Sequence, residues 1–302
     1  MSRKLEEMKT AYDRIEVPEE LRANVLQSIE KGKQAQKKEA HMRTFARVTG
    51  MAAAAAVAFV VGVNASPTVA QAMEQLPVLG AIVKVVSFTT YSDEQENKQM
   101  EATVKVPEVT VIGKDGKALT EESKELNAAV SGYLEQIIAD YENDVAAVAD
   151  GDEGHEAVTS DYRIVTDNDR LFSLRVDTVI AMGGSDSFTK IYNIDKNSGN
   201  RIELSDLFRE GSDYKARISD SIKEQMRAQM KADSSITYFL DDGDPEWDFD
   251  TIKDDVDFYV SDAGMLTLVF DKYEVAPGYM GMVEFSIPTE TISDLIKEGY
   301  LD

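Results

Sequence analysis

One uncharged stretch decides how this chain is organised: residues 48–65 read VTGMAAAAAVAFVVGVNA. No charged residue occurs between Arg47 and Glu74, a run of 26 residues. A bilayer core of about 30 Å takes roughly 20 mostly apolar residues as a helix, and a helix closes its own backbone hydrogen bonds. The stretch therefore predicts one transmembrane helix over residues 45–65. The alternative is a buried core helix.

The charges on either side of this stretch set its orientation. Residues 1–50 hold 11 of the 32 basic and 8 of the 56 acidic residues, which leaves 21 basic and 48 acidic residues beyond, a net charge of −27. Basic residues next to a span remain in the cytoplasm. The sequence thus predicts a single-pass protein of the cell membrane, with a cytoplasmic N-terminus and an extracellular C-terminal domain.

This orientation divides the chain into four parts. We predict a cytoplasmic segment at 1–44, the span at 45–65, a juxtamembrane segment at 66–87 and an extracellular domain at 88–302, which could divide into 88–183 and 184–302. A removable signal peptide normally has a short charged region, whereas 44 residues precede this span. Small residues at signal-peptidase spacing follow it and predict a cut after Ala65 or Ala72. Chance occurrence in alanine-rich sequence is the alternative.

The cytoplasmic segment reads as two short amphipathic helices. Pro18 suits the first turn of the second helix. Leu21, Val25 and Ile29 then form an apolar stripe on one face. Two such helices bury little surface by themselves, so the stripe predicts a protein partner. Packing of the two helices on each other is the alternative.

The extracellular domain reads as α+β, with antiparallel strands and interleaved helices. Phe172, Leu174 and Val176 alternate with polar residues, which is typical of a strand. Longer apolar spacing predicts helices over 119–149 and 214–231, with Thr120 and Ser123 as caps of the first. Further strands are expected at 76–88, 102–112, 157–166, 188–194, 201–204, 256–260, 265–270 and 281–287, and a last helix from 288 to 297.

Composition excludes several kinds of chemistry. The chain has no cysteine and only two histidines, so it offers no thiolate, no disulfide and no histidine-rich metal site. A net charge of −24 argues against nucleic acid as a partner. The acidic loop 241–250 fails the calcium-loop pattern, because its sixth position from Asp242 is Trp247. We expect no catalytic residue, no cofactor and no metal, hence no enzyme.

The loop 271–281, DKYEVAPGYMG, is the most distinctive exported motif. Pro277 fixes one backbone angle, and Gly278 can take conformations closed to other residues. Together they could present Tyr279 as a rigid aromatic anchor for a partner. An ordinary wide hairpin is the alternative.

The order of these features resembles the lysozyme-sensing anti-sigma factors of Firmicutes. The resemblance rests on VPEEL at 17–21, SPTVAQAM at 66–73, LPVLG at 76–80 and FDKYEVAPGYMG at 270–281. It covers nearly the whole chain, and residues 273–281 are its most specific part. The extracellular part is also similar to a module found beside some peptidoglycan deacetylase domains.

The resemblance implies a mechanism and its partners. The inner segment would hold an extracytoplasmic-function sigma factor inactive, with Leu21, Val25 and Ile29 as contacts. The outer domain would bind lysozyme, after which signal peptidase and then an intramembrane protease would cut the chain and free the sigma factor. The loop residues Pro277, Gly278 and Tyr279, with Gly184 and Ser185 of a neighbouring turn, are the implied lysozyme contacts.

Two other classes of function remain open. A membrane-anchored module that binds peptidoglycan without signalling would also use aromatic loops, although it needs no amphipathic cytoplasmic segment. A hydrolase is the weaker alternative, because the sequence offers no usable histidine or cysteine constellation.

Overall fold

The computed structural model describes residues 81–113, 116–149, 151–241, 243, 248–261 and 263–301. The predicted cytoplasmic segment with Leu21, Val25 and Ile29 lies outside these residues, as do the predicted span and the cleavage positions Ala65 and Ala72. Within the described ranges, no helix is long and apolar enough to cross a membrane.

The described elements are runs of strands with helices between them, as expected for an α+β fold. In chain order they are β1 (Ile82–Gln95), β2 (Met100–Ile112), α1 (Thr120–Ala147), β3 (Glu156–Asp167), β4 (Leu171–Met182), β5 (Gly184–Asp195), β6 (Arg201–Ile202), α2 (Tyr214–Ala232), β7 (Asp257–Val260), β8 (Leu266–Phe270), β9 (Val283–Ser286) and α3 (Thr289–Ile292).

Strands β1 to β6 form one sheet in sequential order. All neighbours are antiparallel except β2 and β3, which run parallel from Met100↔Glu156 to Val104↔Ser160. The predicted antiparallel arrangement therefore holds for the other pairs and was wrong for β2 and β3. A parallel pair needs a long crossover, and the 28-residue helix α1 supplies it.

Helix α1 covers one face of this sheet. Its buried side chains are Leu126, Val130, Leu134, Ile137 and Tyr141. The predicted caps were wrong: Leu119 precedes the helix and no side chain caps it. Ser123 instead accepts a hydrogen bond from the amide of Val111 at 2.9 Å, and Asn127 pairs with both the amide and the carbonyl of Val109 at 2.8 Å. These polar side chains tie the helix to β2.

Strands β7, β8 and β9 form a second antiparallel sheet, against which α2 packs. The predicted last helix ends at Ile292 rather than residue 297. The chain beyond it pairs elsewhere: the carbonyl of Leu295 accepts from the amide of Arg209 at 2.9 Å, and Ile296 bridges Phe208. These backbone bonds replace the ones that a longer helix would make.

The two sheets define two lobes, the N-lobe (residues 81–202) and the C-lobe (residues 203–301). Each lobe is built around its own hydrophobic cluster, although Leu171 and Ile202 pack in the C-lobe's core. The suggested division at 183/184 was wrong, since that point is the tip of the continuous β4–β5 hairpin, where Met182 pairs with Gly184. The domain boundary suggested at residue 88 also falls inside β1.

The lobes meet through a buried polar joint. The side-chain Nδ2 of Asn193 donates to the carbonyl of Phe258 at 2.8 Å, and the hydroxyl of Thr166 donates to the carbonyl of Val260 at 2.6 Å. Arg175, only 2% exposed, contacts Asp177 at 2.6 Å and Glu284 at 2.5 Å. Because β7 offers carbonyl groups at this joint, N-lobe side chains complete its hydrogen bonding.

Candidate functional site

The loop 271–281 connects β8 to β9 and is anchored at its middle. Val275 and Ala276 are buried in the C-lobe core, and the carbonyl of Val275 accepts from the amide of Phe239 at 2.9 Å. On either side of this anchor the loop turns outward. Tyr273 is 49% exposed and Tyr279 is 67% exposed. The loop therefore presents two aromatic side chains from a fixed base.

The side chain of Tyr279 is exposed, but its orientation is restrained. A short 3-10 helix, Gly278–Met280, begins directly after Pro277, whose φ is −59°. The phenolic hydroxyl of Tyr279 donates to the carbonyl of Ser235 at 3.0 Å. One polar end of the ring is thus held against the loop after α2, while most of the side chain faces solvent. This is the arrangement expected of a preformed aromatic contact.

The glycine before Tyr279 has a different role from the one predicted. Gly278 does not adopt a positive φ; within this loop that conformation belongs to Tyr273 at 71° and Gly281 at 69°. A β-carbon on Gly278 would instead overlap the ring of Tyr273. Glycine is needed here because the ring lies directly against the backbone. A tyrosine held with positive φ is strained by about 1–3 kcal/mol, and such strain is frequent at functional sites.

The structure brings the loop against the predicted turn Gly184–Ser185. The amide of Lys272 donates to the carbonyl of Ser187 at 2.9 Å. The ammonium group of Lys272 donates to the hydroxyl of Ser185 at 2.9 Å and also to its carbonyl. The two sequence-predicted segments, far apart in the chain, are therefore neighbours. We call the loop 271–281 and the hairpin tip 182–187 together the two-loop surface.

Two aspartates of the C-lobe cap the edge of β5 below this surface. Asp271 accepts from the amide of Thr189 at 2.8 Å, and Asp257 accepts from the amide of Ile191 at 2.6 Å. Burial raises the pKa of Asp271 to about 6, with neighbouring carboxylates adding to the effect and the Thr189 bond opposing it. Burial also raises the pKa of Asp257, against the opposing charge of Lys190.

A row of residues links the hairpin to an acidic depression on the same face of the large sheet. Successive pairings place Glu94, Glu101, Ala157, Ala181 and Ser185 side by side across five strands. At about 4.8 Å per strand, Glu101 lies roughly 14 Å from Ser185. The small alanines leave an open depression of about 510 Å³, whose lining includes three glutamates of β1, β2 and the turn between them. The two-loop surface therefore adjoins a negatively charged hollow.

Other candidate groups contribute no comparable arrangement. His155 pairs with Glu153 at 2.9 Å in the turn before β3. In the part of the chain that the structure describes, no three His, Cys, Asp or Glu side chains are placed to hold a metal ion. Residues 242 and 244–247 of the acidic loop 241–250 lie outside the described residues.

Comparison with known proteins assigns the chain to a family. Residues 205–290 match the sequence family DUF3298, described as a protein of unknown function. The anti-sigma-V factor RsiV of Bacillus subtilis is 34% identical over 303 residues, which span 100% of both chains. The chain belongs to the family of RsiV-type anti-sigma factors. The two-loop surface and both lobes fall within this whole-length match.

More distant relatives share parts of this RsiV-type chain. The peptidoglycan-N-acetylmuramic acid deacetylase PdaC of Bacillus subtilis is 20% identical over 208 residues, covering 65% of this chain and 43% of PdaC. A DUF3298 family protein from Bacteroides fragilis has the same fold, with a TM-score of 0.50 and 17% identity over 73% of this chain and 95% of its own. A second such structure, from Pseudomonas aeruginosa PAO1, gives a TM-score of 0.49 at 15% identity over 76% of this chain and 98% of its own.

Sequence reasoning missed several residues of the two-loop surface in this RsiV relative. Asp271, Lys272 and Tyr273 lie within the quoted motif. The contacts of Asp271 and Lys272 with the hairpin cannot be read from spacing, because Lys272 and Ser185 are 87 positions apart, and neither can the contact of Tyr273 with Gly278. Ser235, which accepts the hydroxyl of Tyr279, belongs to a loop with no motif. The one signal in the sequence was composition: a lysine and two tyrosines occur within the eight residues 272–279 of a predicted loop, which indicates a binding surface.

Proposed function

We propose that this chain is a membrane-anchored anti-sigma factor that releases its sigma factor by proteolysis when its extracellular domain binds lysozyme. The observation that carries the proposal is the 34% identity to RsiV across both complete chains. The inner segment would bind an extracytoplasmic-function sigma factor through Leu21, Val25 and Ile29. Signal peptidase would cut after Ala65 or Ala72, and an intramembrane protease would then cut the span.

The two-loop surface supports a basic protein as the extracellular ligand. Tyr279 offers a large apolar face, and Pro277 and Gly278 shape the turn that carries it. Gly184 and Ser185 are exposed beside it, and the depression with Glu94 and Glu101 adjoins them. Lysozyme of the common type is strongly basic, and its sugar-binding cleft could receive an aromatic side chain. Complementary charge of this kind raises the association rate more than the affinity, and salt weakens it.

Substitution of Tyr279 tests the proposed contact. Truncation of a true hot spot costs about 2 kcal/mol or more, so Tyr279→Ala should weaken lysozyme binding at least about tenfold in calorimetry. Tyr279→Phe keeps the ring and loses only the bond to Ser235, and we expect a loss of at most about threefold. The bound wild-type domain should also inhibit lysozyme, because the loop would occupy the cleft.

The same variants can be examined in cells with a sigma-dependent reporter. Lysozyme should induce the reporter with the wild-type chain and much less with Tyr279→Ala. Phe88→Ala is the matched control, since Phe88 is 51% exposed on β1 away from the loop, and its loss should change neither affinity nor induction. An unchanged affinity in Tyr279→Ala, with lysozyme still active in the complex, would place the binding surface elsewhere.

A second candidate function follows from the match to PdaC. Because 65% of this chain resembles part of a peptidoglycan deacetylase, the domain could bind peptidoglycan itself without signalling. Sedimentation of the purified domain with lysozyme-free peptidoglycan distinguishes the two proposals. Binding to the wall polymer that survives Tyr279→Ala, together with no reporter response to lysozyme, would favour the wall-binding module.

A further inference from the structure

Lys272 makes three of the contacts that hold the two-loop surface together. Its amide donates to the carbonyl of Ser187, and its ammonium group donates to the carbonyl and the hydroxyl of Ser185. On the β4 side of the hairpin tip, Met182 pairs with Glu156 of β3. On the β5 side no described strand accompanies the tip, because β6 pairs with β5 only at Asn193 and Ile194. There the ammonium group of Lys272 holds Ser185 against the loop.

Lys272 is itself held by its neighbours in the loop. Asp271 on one side accepts the amide of Thr189, and Tyr273 on the other side has the positive φ that turns the chain. The ammonium nitrogen lies 4.9 Å from the centre of the Tyr273 ring, and that ring lies against Gly278. A continuous path of contacts thus runs from the hairpin through Lys272 and Tyr273 to the residue next to Tyr279.

We propose that Lys272 is a positioning residue, which joins the β4–β5 hairpin and the loop 271–281 into one preformed surface for the protein ligand. This inference rests on the proposed function, since it names how that same site is kept in its binding shape. Two loops that are already fixed relative to each other lose less conformational freedom when a partner binds both. Without the ammonium group, the bonds at Ser187 and Thr189 remain but both bonds at Ser185 are lost, so the tip would have to be ordered against the loop at the moment of binding.

The charge of Lys272 allows a test whose outcomes differ in sign. A lysine near the contact repels a basic partner, so removal of its charge alone should strengthen binding to lysozyme. Removal of a positioning residue should weaken binding instead. We expect Lys272→Met to weaken lysozyme binding about tenfold, in spite of the more favourable charge. Lys272→Arg, which can still donate to Ser185, should remain within about threefold of the wild type.

Lys253→Met is the matched control. Lys253 bonds Glu274 of the same loop at 2.7 Å and carries the same charge, but none of its hydrogen bonds reaches the hairpin. Calorimetry with lysozyme should show an affinity equal to or slightly above that of the wild type. If Lys253→Met weakens binding as much as Lys272→Met, a change within the loop alone explains the loss of affinity, and the proposed role of Lys272 in connecting the two loops is wrong. Tighter binding by Lys272→Met would also overturn the proposal.

Hydrogen exchange on the full-length protein in detergent gives a second readout that needs no ligand. Lys272→Met keeps the backbone bond to Ser187 and the Asp271 bond to Thr189, but it loses both ammonium bonds to Ser185. The amides of Thr189 and of residue 272 should therefore exchange faster, because the hairpin and the loop separate more often, while amides of β8 should keep their wild-type rates. Unchanged exchange at Thr189 would overturn the proposed role of Lys272. If wild-type protein shows no lysozyme binding, the proposed function fails, whereas the exchange data still decide whether Lys272 joins the two loops.

Discussion

The two lobes build their cores from different side chains. The N-lobe core is mainly aliphatic, with Val104, Val109 and Val176 fully buried under α1. The C-lobe core is rich in aromatic residues: Phe208, Tyr238, Phe249, Phe258, Phe270, Phe285 and Tyr300. Strands of 12 to 14 residues can bury many small side chains, whereas strands of 4 or 5 residues need large ones. An aromatic side chain buries about 150–250 Å², so a few of them complete a small core.

The two-loop surface lies where the N-lobe and the C-lobe meet. The long β4–β5 hairpin of the N-lobe reaches past the joint, and the loop 271–281 of the C-lobe closes against its tip. The aromatic core holds the base of the loop, because Val275 and Ala276 are buried in it. The comparison therefore predicts an order for the loss of stability on substitution. The C-lobe core should lose most, the polar joint between the lobes less, and the aspartates that cap the β5 edge least.

Truncation in the aromatic core should give the largest effect. Phe285 is 1% exposed, and its ring centre lies 5.8 Å from that of Phe270 and 5.5 Å from that of Tyr238. Phe285→Ala should lower the free energy of unfolding by about 3–5 kcal/mol, because it leaves a cavity and removes two ring contacts. Urea unfolding followed by circular dichroism measures this. Leu134→Ala in the N-lobe, at about 2–5 kcal/mol, is the comparison.

Two results would break this comparison between the lobes. If Leu134→Ala costs clearly more than Phe285→Ala, the aliphatic core under α1 is the less tolerant one. If Phe285→Ala costs less than about 1 kcal/mol, as expected for an exposed residue such as Phe88, the aromatic cluster contributes little to stability.

The joint between the lobes should give an intermediate effect. Asn193, 2% exposed, donates to the carbonyl of Phe258 at 2.8 Å and accepts from the hydroxyl of Ser173 at 2.5 Å. Asn193→Ala leaves both partners buried without a hydrogen bond, which should cost about 1–3 kcal/mol. The double variant Ser173→Ala, Asn193→Ala should lose less than the sum of the two single variants, because one orphaned hydroxyl is gone. Strict additivity in the urea midpoints would argue against a shared network.

Sequence patterns could predict what depends on local periodicity. The alternation of Phe172, Leu174 and Val176 predicted β4, and the structure places all three under α1. Patterns could not predict contacts between distant segments. The parallel β2–β3 pair depends on where α1 returns the chain, and the last helix ends early because residues 295–297 bond to residues 207–209. The alternation of apolar and polar residues predicts which face of a strand is buried, but it does not predict which strands pair along their edges.

In the candidate site, too, local features could be predicted from the sequence and side-chain contacts could not. Proline, glycine and tyrosine in one short loop predicted an ordered turn with an exposed ring, and Tyr279 is exposed in such a turn. The reason for Gly278 was wrong, because a backbone conformation was expected where close approach of Tyr273 is the cause. A side chain from the same loop occupies that space, and residue spacing alone gives no direction for it.

The caps of the β5 edge should give the smallest effect, and it depends on pH. The pKa of Asp271 is about 6, against 3.8 for an ordinary aspartate, with burial as the main cause. The folded state therefore binds this proton more tightly than the unfolded state, and folding is favoured as pH falls from about 7 towards 4. At pH 7 the ionised carboxylate opposes folding. The raised pKa values of Asp257 and Glu156 act in the same direction.

Asp271→Asn isolates this contribution, because asparagine keeps an oxygen that can accept the amide of Thr189. At pH 7 the variant should be more stable than the wild type by about 1 kcal/mol, once solvent screening of this partly exposed group is allowed for. Near pH 4 the two proteins should have equal stability. Thermal unfolding at several pH values measures the difference, in which the contribution of Glu156 cancels.

Asp161 in the N-lobe is the matched control with the opposite sign. Burial alone would raise its pKa, but hydrogen bonds from Lys105 and the amide of Tyr162 outweigh burial, and the pKa is lowered. Its ionised form therefore supports folding above the unfolded pKa, and this support is lost as pH falls. Asp161→Asn should destabilise the domain slightly at pH 7 and leave it unchanged in acid. If both substitutions destabilise at pH 7, the carboxylate of Asp271 is needed as a charged cap of the β5 edge, and the contrast between the two lobes does not extend to their surface carboxylates.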